Sequence, residues 1–145
     1  MTYAKQLTKN MEWLWSFIIR GRAEFRCQLY GMDHIVCKGN LQAAHLVTRG
    51  VKGIKYDRRN GRCICEAHHV YYTHKPEFWS RIASELWATD WLALTKEKWQ
   101  EPDTAIDKDA TFVELFLEAQ PFVDKFPEYK PKMLSIAAWT KKVTQ

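Results

Sequence analysis

Cysteine and histidine are concentrated in one part of this 145-residue chain, and their spacing restricts the fold more than any other feature. Two residues separate Cys65 from His68, a spacing at which a strand end and the first turn of a helix present sulfur and nitrogen to one point. A tetrahedral zinc site needs two more such ligands, and Cys27 and Cys37 are the candidates for them. We therefore predict a structural zinc held by these four residues.

Cys63 is the competing candidate for one of the cysteine positions. It lies two residues before Cys65, so both side chains face the same side of a strand. The tighter spacing between Cys65 and His68 favours Cys65 as the ligand. A plainer interpretation is that the cysteines are buried thiols without a metal, because free cysteine is among the residue types most often buried.

The composition is typical of one globular domain. Hydrophobic residues make up 46% of the sequence, so residues 1–145 are predicted to form a single domain around a real core. No apolar run approaches the roughly 20 residues that a bilayer-spanning helix needs. The apolar run at residues 13–19 lacks the small-residue cleavage pattern of a signal peptide. We expect a cytoplasmic protein with no membrane partner, whose cysteines are ligands or buried thiols rather than disulfides.

Hydrophobic spacing predicts helices at both ends of the chain and an irregular middle. A helix is expected at residues 4–20, with Gly21 as its stop. Extended pieces are expected at 35–37, 41–47 and 62–65, and Asn60-Gly61 ends the loop at 48–61 with a strong turn signal. Further helices are predicted at 66–73, from Pro76 to a break at Thr89-Asp90, and near 111–119 and 131–142, the last two separated by Pro121, Pro127 and Pro131.

Basic residues are concentrated in the same half of the chain as the predicted site. Residues 1–60 carry 11 Lys or Arg against 4 Asp or Glu, whereas residues 61–145 carry 11 against 13. Six basic side chains fall within residues 49–62, with only Asp57 opposing them: Arg49, Lys52, Lys55, Arg58, Arg59 and Arg62. Such a cluster favours a polyanion, and phosphate contacts to nucleic acid are the common case. A solvated basic loop that keeps the protein soluble explains the charge equally well.

A second set of residues is interleaved with the predicted zinc ligands. It reads Ala44-His45-Leu46, then Asn60-Gly61, then Cys65-Glu66-Ala67-His68-His69. The order and spacing resemble the HNH endonucleases, in which a β-hairpin followed by a helix grips a catalytic metal. The residues around His45 are most similar to phage and prophage members, including the recombination nucleases of the NinG/Rap type. The resemblance covers about residues 27–76 and is moderately specific.

The resemblance implies a role for each matching residue. His45 matches the general base that takes a proton from the attacking water, and Asn60 matches the asparagine that fixes the loop between the strands. His69 matches a ligand of the catalytic divalent metal, for which Mg²⁺, Mn²⁺, Ni²⁺ and Zn²⁺ are candidates. The ligands of the structural zinc in many members are matched by Cys27, Cys37, Cys65 and His68. Phosphodiester hydrolysis needs a base near neutral pH and positive charge at the leaving oxygen, which these roles supply.

The sequence departs from the family at Ala44, where many members have an Asp or His that binds the catalytic metal. Metal binding would then depend on His69 and a second group. His74 is the candidate, because it lies near the end of the same short helix. A second Asp-His pair, Asp33-His34, imitates the family signature, but it lies between the zinc cysteines and too far ahead of the asparagine.

Each of these residues also has a plainer explanation. An isolated histidine such as His45 is usually a hydrogen-bonded structural residue, and Asn60-Gly61 is usually only a hairpin turn. His74 could be a cation at a helix end. The joint occurrence of the residues in the right order is what favours a nuclease.

The tryptophans of the C-terminal half permit two explanations. They could stack on bases of single-stranded nucleic acid, but core packing is preferred for Trp79 and Trp87. The others are Trp91, Trp99 and Trp139. Because residues 61–145 are acidic on balance, we expect the C-terminal helices to pack on the core or to form a homodimer.

The sequence as a whole therefore predicts an α+β protein with a small ββα-metal core of the HNH type at residues 22–76. A zinc knuckle supports this core, helices extend it at both ends, and residues 77–145 form the C-terminal extension. The predicted function is metal-dependent DNA cleavage in phage recombination or DNA processing, in the host cytoplasm if a phage encodes the chain. One alternative is a non-catalytic, zinc-stabilised nucleic-acid-binding module of the same fold, with Ala44 as its mark. A second alternative is a helical interaction protein whose Cys and His are structural.

Overall fold

A computed structural model describes residues 1–47, 52–100 and 106–145 of the chain. In these residues the fold is mixed α+β and mostly helical, with one small sheet. The strands are β1 (Leu41–His45) and β2 (Gly61–Cys65), and the helices are α1 (Tyr3–Arg22), α2 (Glu66–Thr73), α3 (Pro76–Leu86), α4 (Ala88–Gln100), α5 (Lys108–Lys125) and α6 (Lys130–Val143). Short 3-10 turns occupy Lys52–Ile54, Arg58–Asn60 and Pro127–Tyr129. None of the described helices combines the length and the apolar character needed to cross a membrane.

The two strands form a hairpin that leads directly into α2. β1 and β2 are antiparallel, with Leu41 opposite Cys65 and His45 opposite Gly61. α2 begins at Glu66, the residue after β2, and contacts both strands. The Glu66 amide donates to the Asn40 carbonyl at 2.8 Å, which closes the start of α2 onto the segment before β1. The predicted strand at 62–65 and the predicted helix at 66–73 are confirmed, with β2 beginning one residue earlier. The extended piece predicted at 41–47 is a strand at 41–45 and a bend at 46–47.

The first helix is the scaffold for the rest of the chain. α1 packs on α5 and on both strands, and its buried face includes Met11, Leu14, Phe17 and Ile18, each with no exposed surface. These side chains join buried residues of α5 and α6 in the largest hydrophobic cluster. Full burial of one such side chain contributes roughly 1.5–3 kcal/mol, so this core positions α1 more firmly than its end caps do.

The prediction that Gly21 stops α1 is wrong, because the helix continues to Arg22. Gly21 is buried, and a Cβ atom there would lie 2.6 Å from the Phe122 ring. Its missing side chain therefore permits close approach of α1 and α5 rather than ending the helix. The chain leaves the helix two residues later, where Glu24 and Phe25 both have φ of 54°.

Three other predicted boundaries also need correction. Residues 35–37 are not a strand, because the Ile35 amide bonds the Asp33 side chain instead of a neighbouring strand. The break expected at Thr89-Asp90 comes earlier, at Trp87, and Asp90 lies in the first turn of α4, where a negative charge stabilises a helix start.

Pro121 lies inside α5 rather than after it. The proline removes the N–H that would bond the carbonyl four residues earlier, at Leu117. The Leu117 side chain is 63% exposed, so water can reach this turn and replace the lost donor. Buried Ala119 and Val123, on either side of the proline, hold the helix on the core.

Candidate metal centre and adjoining cavity

Four side chains converge at the junction of the hairpin and α2. The Sγ atoms of Cys27, Cys37 and Cys65 lie 3.6, 3.7 and 3.1 Å from His68 Nδ1. All four potential ligand atoms lie within 4.8 Å of one another. Tetrahedral zinc with ordinary Zn–S and Zn–N bonds places sulfur and nitrogen about 3.6 Å apart. The group could therefore hold a metal ion such as zinc, as the spacing predicted.

Local structure explains how distant cysteines reach this point. The Gln28 amide donates to the Cys63 carbonyl at 2.8 Å, which docks the segment carrying Cys27 beside β2. Cys37 is held by the bond from the Ala67 amide to the Lys38 carbonyl at 3.0 Å. Gly39 makes this turn possible, because its φ is +84° and a Cβ atom would lie 2.4 Å from Glu66 Oε2.

A carboxylate supports the histidine of this cluster. Asp33 Oδ1 lies 2.9 Å from His68 Nε2, and Asp33 Oδ2 accepts the Tyr72 hydroxyl at 2.6 Å. A carboxylate on the outer nitrogen of a metal-binding histidine fixes the ring orientation and makes the ligand more basic. Burial disfavours ionisation of Asp33, but the bonds from Tyr72, His68 and the Ile35 amide outweigh it and lower the pKa of the carboxyl group.

Charge within the cluster favours a metal. Burial and the nearby thiols of Cys27 and Cys65 raise the pKa of Cys37 to about 12. Burial also opposes the Cys65 thiolate, but hydrogen bonds from the amide and the ring of His68 lower the pKa of Cys65 to about 6. Three thiolates this close repel one another unless a cation neutralises them, so metal binding would displace the Cys37 proton.

Cys63 stands apart from the four converging residues. It is fully buried, and burial raises the pKa of its thiol to about 11. It is not part of the group whose ligand atoms converge. The structure therefore favours Cys65 over Cys63 as the ligand, in agreement with the tighter sequence spacing.

His45 is held at the end of β1 by α1 and by the loop between the strands. Its ring stacks on Trp15, with centroids 4.2 Å apart and planes at 15°. Its Nε2 atom lies 2.9 Å from the Lys55 carbonyl. A carbonyl can only accept, so in the neutral ring Nε2 carries the proton and Nδ1 is the basic nitrogen. The Trp15 indole N–H in turn donates to the Asp57 carbonyl at 3.2 Å.

Asn60 is fully buried and ties both ends of the inter-strand loop. Its Oδ1 atom accepts from the Val47 amide at 2.7 Å, and its Nδ2 atom donates to the Ile54 carbonyl at 3.0 Å. Burial of a side-chain amide costs little free energy when both its oxygen and its nitrogen are hydrogen-bonded, but loss of either partner leaves a buried polar group unsatisfied and destabilises the fold. Asn60 thus braces the described ends of the loop whose Lys55 carbonyl holds His45.

His69 faces away from the cysteines, into a cavity that it shares with His45. The cavity measures about 330 Å³ and is lined by Ala44, His45, Ile64, His69, Tyr72, Thr73, Pro76 and Trp79. His69 Nδ1 lies within hydrogen-bonding distance of Gln42 Oε1, so its Nε2 is the nitrogen able to bind a metal or a proton. Burial lowers the pKa of His69, which favours the neutral ring that metals bind.

The second catalytic-metal ligand predicted from the sequence is not brought to this cavity. His74 is exposed at the C-terminal end of α2 and is not among the residues that line the cavity. Ala44 is buried in the wall. In the described residues of the lining, His45 and His69 are the imidazole donors and there is no carboxylate.

The basic cluster has more acidic neighbours in space than in sequence. Arg58 pairs with Glu118 at 2.8 Å and Glu114 at 3.3 Å, and Arg59 pairs with Asp57 and Glu97, both at 2.8 Å. Arg62 pairs with Asp90 at 2.7 Å, and Lys55 with Glu12 at 3.3 Å. Asp57 is the only acidic residue within residues 49–62, but in the fold α1, α4 and α5 each supply further carboxylates. Arg49 and the side chain of Lys52 lie outside the described residues.

Two side chains that support the site were missed at the sequence level. Asp33 was rejected as part of an Asp-His signature, yet it bonds the zinc-site histidine. Its position between Cys27 and Cys37 was the available signal, since metal-bound histidines usually have a carboxylate or carbonyl on the outer nitrogen. The contact of Trp15 with His45 could not be predicted, because the helical spacing of Trp15 indicates only that its side chain is in the core.

No family model, curated protein or solved structure matches this chain.

Proposed function

We propose that this chain is a metal-dependent DNA endonuclease of the HNH type, which hydrolyses phosphodiester bonds with His45 as general base. The observation that carries the proposal is that His45 on the hairpin and His69 on α2 share one cavity beside the Cys₃His group. One short helix thus provides a ligand for a structural metal and a second imidazole facing the opposite way. The likeness of the motif to phage recombination nucleases favours a role in recombination or DNA processing.

The geometry of His45 suits a base. Nδ1 of His45 takes a proton from a water molecule, whose oxygen attacks phosphorus as the bond to the 3′-oxygen breaks. The ring then carries both protons, and the Lys55 carbonyl stabilises the charged form through Nε2–H, 2.9 Å away. Stacking on Trp15 keeps the ring in one orientation, which reduces the entropy lost in reaching the reactive geometry.

The cavity fits a metal that accepts imidazole nitrogen and takes its other ligands from water and the substrate phosphate. His69 would hold it through Nε2, because Nδ1 faces Gln42. When bound, such a metal supplies positive charge to the scissile phosphate and to the leaving oxygen. Since the described lining has no carboxylate, Ni²⁺ or Zn²⁺ suits it better than Mg²⁺, which prefers oxygen ligands.

A metal panel tests this proposal. Zinc-loaded protein is incubated with supercoiled plasmid and added Mg²⁺, Mn²⁺, Ni²⁺ or Zn²⁺, and nicking is followed on gels. We expect cleavage that needs added metal and is faster with Ni²⁺ than with Mg²⁺. His69→Ala should lose this stimulation, whereas His74→Ala, on the same helix but outside the cavity, should keep it. Equal stimulation of wild type and His69→Ala would remove His69 from the mechanism.

The alternative, a non-catalytic nucleic-acid-binding module with a structural zinc, is favoured by one observation. Ala44 and the carboxylate-free described lining leave His69 with little help in holding a metal. DNA binding without cleavage under every metal in the panel would establish this alternative. Cleavage that co-purifies with the chain and is lost in His69→Ala would exclude it.

A further inference from the structure

A second cavity lies beside the one that contains His45 and His69, and its walls are aromatic and cationic. It measures about 350 Å³, within the range of roughly 300–1,000 Å³ typical of small-molecule sites. The residues on which its chemistry depends are Met32, His34, Tyr71, Phe78, Arg81 and Glu85. We propose that this cavity binds the base of an unpaired nucleotide; that this nucleotide adjoins the scissile phosphate rests on the proposed function.

The rings provide a stacking surface. Tyr71 and Phe78 are nearly parallel, at 24°, with centroids 6.5 Å apart, and His34 meets Tyr71 edge-on at 5.6 Å. Phe78 is 37% exposed and Met32 is 57% exposed, so apolar surface remains in contact with water in this free chain. Base–aromatic stacking covers such surface and tolerates any base, because every base has a π-face.

The cations at this cavity differ from those of the basic cluster. Lys75 Nζ lies 5.6 Å from the Tyr71 ring centroid and 5.5 Å from that of Phe78, and Arg81 lies 5.8 Å from the Phe78 centroid. Within the described residues neither forms a salt bridge, whereas Arg58, Arg59 and Arg62 all do. Exposed cation–π contacts are weak. A nucleotide would replace them with a base on the rings and a phosphate beside the cations.

The remaining polar lining matches a base rather than a phosphate. Glu85 repels a phosphate inside the cavity, but its carboxylate can accept from the exocyclic amino group of cytosine, as carboxylates do in base recognition. His34 offers a further polar contact at the same wall. This arrangement places the base against the rings and the backbone beside Arg81, which lines the cavity, and Lys75, which lies over the Tyr71 and Phe78 rings.

Tyr72 connects the two cavities, since its side chain lines both. It meets Tyr71 edge-on at 5.0 Å, and it lies 5.6 Å from Trp79 in the His45–His69 cavity. The nucleotide next to a phosphate held near His45 is therefore within reach of the second cavity. A base inside a duplex has both faces covered by its neighbours, so only an unpaired or unstacked base can enter. The inferred substrate class is DNA with an unpaired base beside the cleaved bond.

Fluorescence anisotropy tests this inference without depending on cleavage. Zinc-loaded protein is titrated into a labelled single-stranded oligonucleotide and into the matched duplex, with no added divalent metal and with gels to confirm intact DNA. We expect tighter binding of the single strand. Phe78→Ala should weaken single-strand binding roughly 5- to 150-fold, the range that loss of one stacked base gives, and should leave duplex binding unchanged. Phe78→Trp should retain the affinity.

Two matched controls locate the effect. Lys75→Gln should weaken single-strand binding and reduce the magnitude of its salt slope by about 0.7, the value for one phosphate contact. Lys132, which also lies over an aromatic ring, 5.8 Å from that of Trp13, is the matched cation away from the cavity, and Lys132→Gln should change neither quantity. Leu117→Ala controls for loss of an exposed apolar side chain.

The inference is overturned if Phe78→Ala and Lys75→Gln bind the single strand as wild type does, or if wild type binds both DNAs equally. Should Phe78→Ala lose zinc or helical content, Arg81→Gln, at an exposed position, is the second variant, and it should weaken single-strand binding and its salt dependence as Lys75→Gln does. Failure of the nuclease proposal is a separate result. It would leave the single-strand preference and its loss in Phe78→Ala in place, while the metal panel shows no cleavage.

Discussion

At the scale of single residues, Asp33 explains more of the metal centre than its sequence context suggests. Its carboxylate accepts hydrogen bonds from the Tyr72 hydroxyl and the Ile35 amide, and it lies 2.9 Å from His68 Nε2. One carboxylate therefore orients the His68 ring and anchors α2 to the preceding loop. Its lowered pKa keeps it charged at neutral pH. The candidate metal centre therefore includes Asp33 as well as the four potential ligands.

Asp33→Asn should weaken zinc binding without preventing folding. The amide keeps the shape but removes the charge that makes His68 a better ligand, so we expect a loss of affinity of roughly 10- to 100-fold. Competition with a chromophoric chelator measures it. Asp109→Asn is the matched control, because Asp109 also accepts a tyrosine hydroxyl, that of Tyr3 at 2.6 Å, on the far side of the fold. Equal zinc affinity of Asp33→Asn and wild type would show that the carboxylate is not part of the site.

Zinc binding should release protons and weaken as pH falls. The pKa of Cys37 is raised to about 12, so this thiol is protonated at pH 7 in the free protein and must lose its proton to bind metal. Below the pKa of the thiol, each proton that zinc must displace lowers the zinc affinity about tenfold for every pH unit of acidification. Calorimetry in buffers of different ionisation enthalpy counts these protons. Affinity that does not change between pH 6 and 8 would contradict a thiolate site.

At the scale of elements, α2 presents side chains to two different sites because successive residues of a helix point in different directions. His68 faces the cysteines and is fully buried, whereas His69 faces the hairpin and the cavity. α1 contributes as well, since Trp15 covers His45 and bonds the loop that holds it. The catalytic proposal thus depends on the packing of α1 against the hairpin, and not only on the hairpin and α2.

That packing depends on Gly61. A Cβ atom at this position would lie 2.5 Å from Ile19 Cγ1 and 2.8 Å from Trp15 Cζ2, and its φ of −138° is ordinary for any residue. Gly61→Ala should therefore destabilise the fold by about 1–3 kcal/mol through overpacking alone. Denaturant unfolding measures this cost. When Gly61→Ala is introduced into the Ile19→Ala variant, the loss of unfolding free energy should be smaller, because the Ile19 side chain that the new methyl group meets has been removed. An equal loss in both backgrounds would exclude the contact with Ile19 as the cause.

At the scale of the whole molecule, the hydrophobic residues form separate clusters. α1, α5 and α6 share the largest, whereas Leu29, Ala44, Ile64 and Tyr72 form a small one beside the zinc ligands. A cluster of this size would gain much of its order from a metal bound by the four converging side chains. The larger helical cluster would depend on such a metal less.

Removal of zinc should therefore loosen one part of the chain more than the other. Hydrogen exchange with and without chelator should show lost protection at residues 23–47 and 61–75, and largely retained protection in α5 and α6. The helical signal in circular dichroism should fall only partly. Uniform loss of protection along the chain would show that the metal holds the entire fold.

The sequence predicted β2 and α2, beside the four converging side chains, better than the helix ends, although the strand predicted at 35–37, next to Cys37, is absent. Ligand spacing located β2 and α2 because cysteine and histidine chemistry leaves few geometries. The end of α1, the start of α4 and the path of α5 through Pro121 were mispredicted, since tertiary contacts of Gly21, Asp90 and Ala119 decide them. The carboxylates that pair with the basic cluster come from distant helices, so no local pattern could reveal them.

We propose above that His45 acts as a base beside the Cys₃His group. The most direct measurement is the single-turnover cleavage rate of wild type and His45→Ala, each shown to contain one zinc per chain and native helical content. We expect the variant to be roughly 10²- to 10⁴-fold slower, the usual contribution of a general base, with unchanged DNA affinity. Undiminished cleavage by zinc-loaded His45→Ala would contradict the claim.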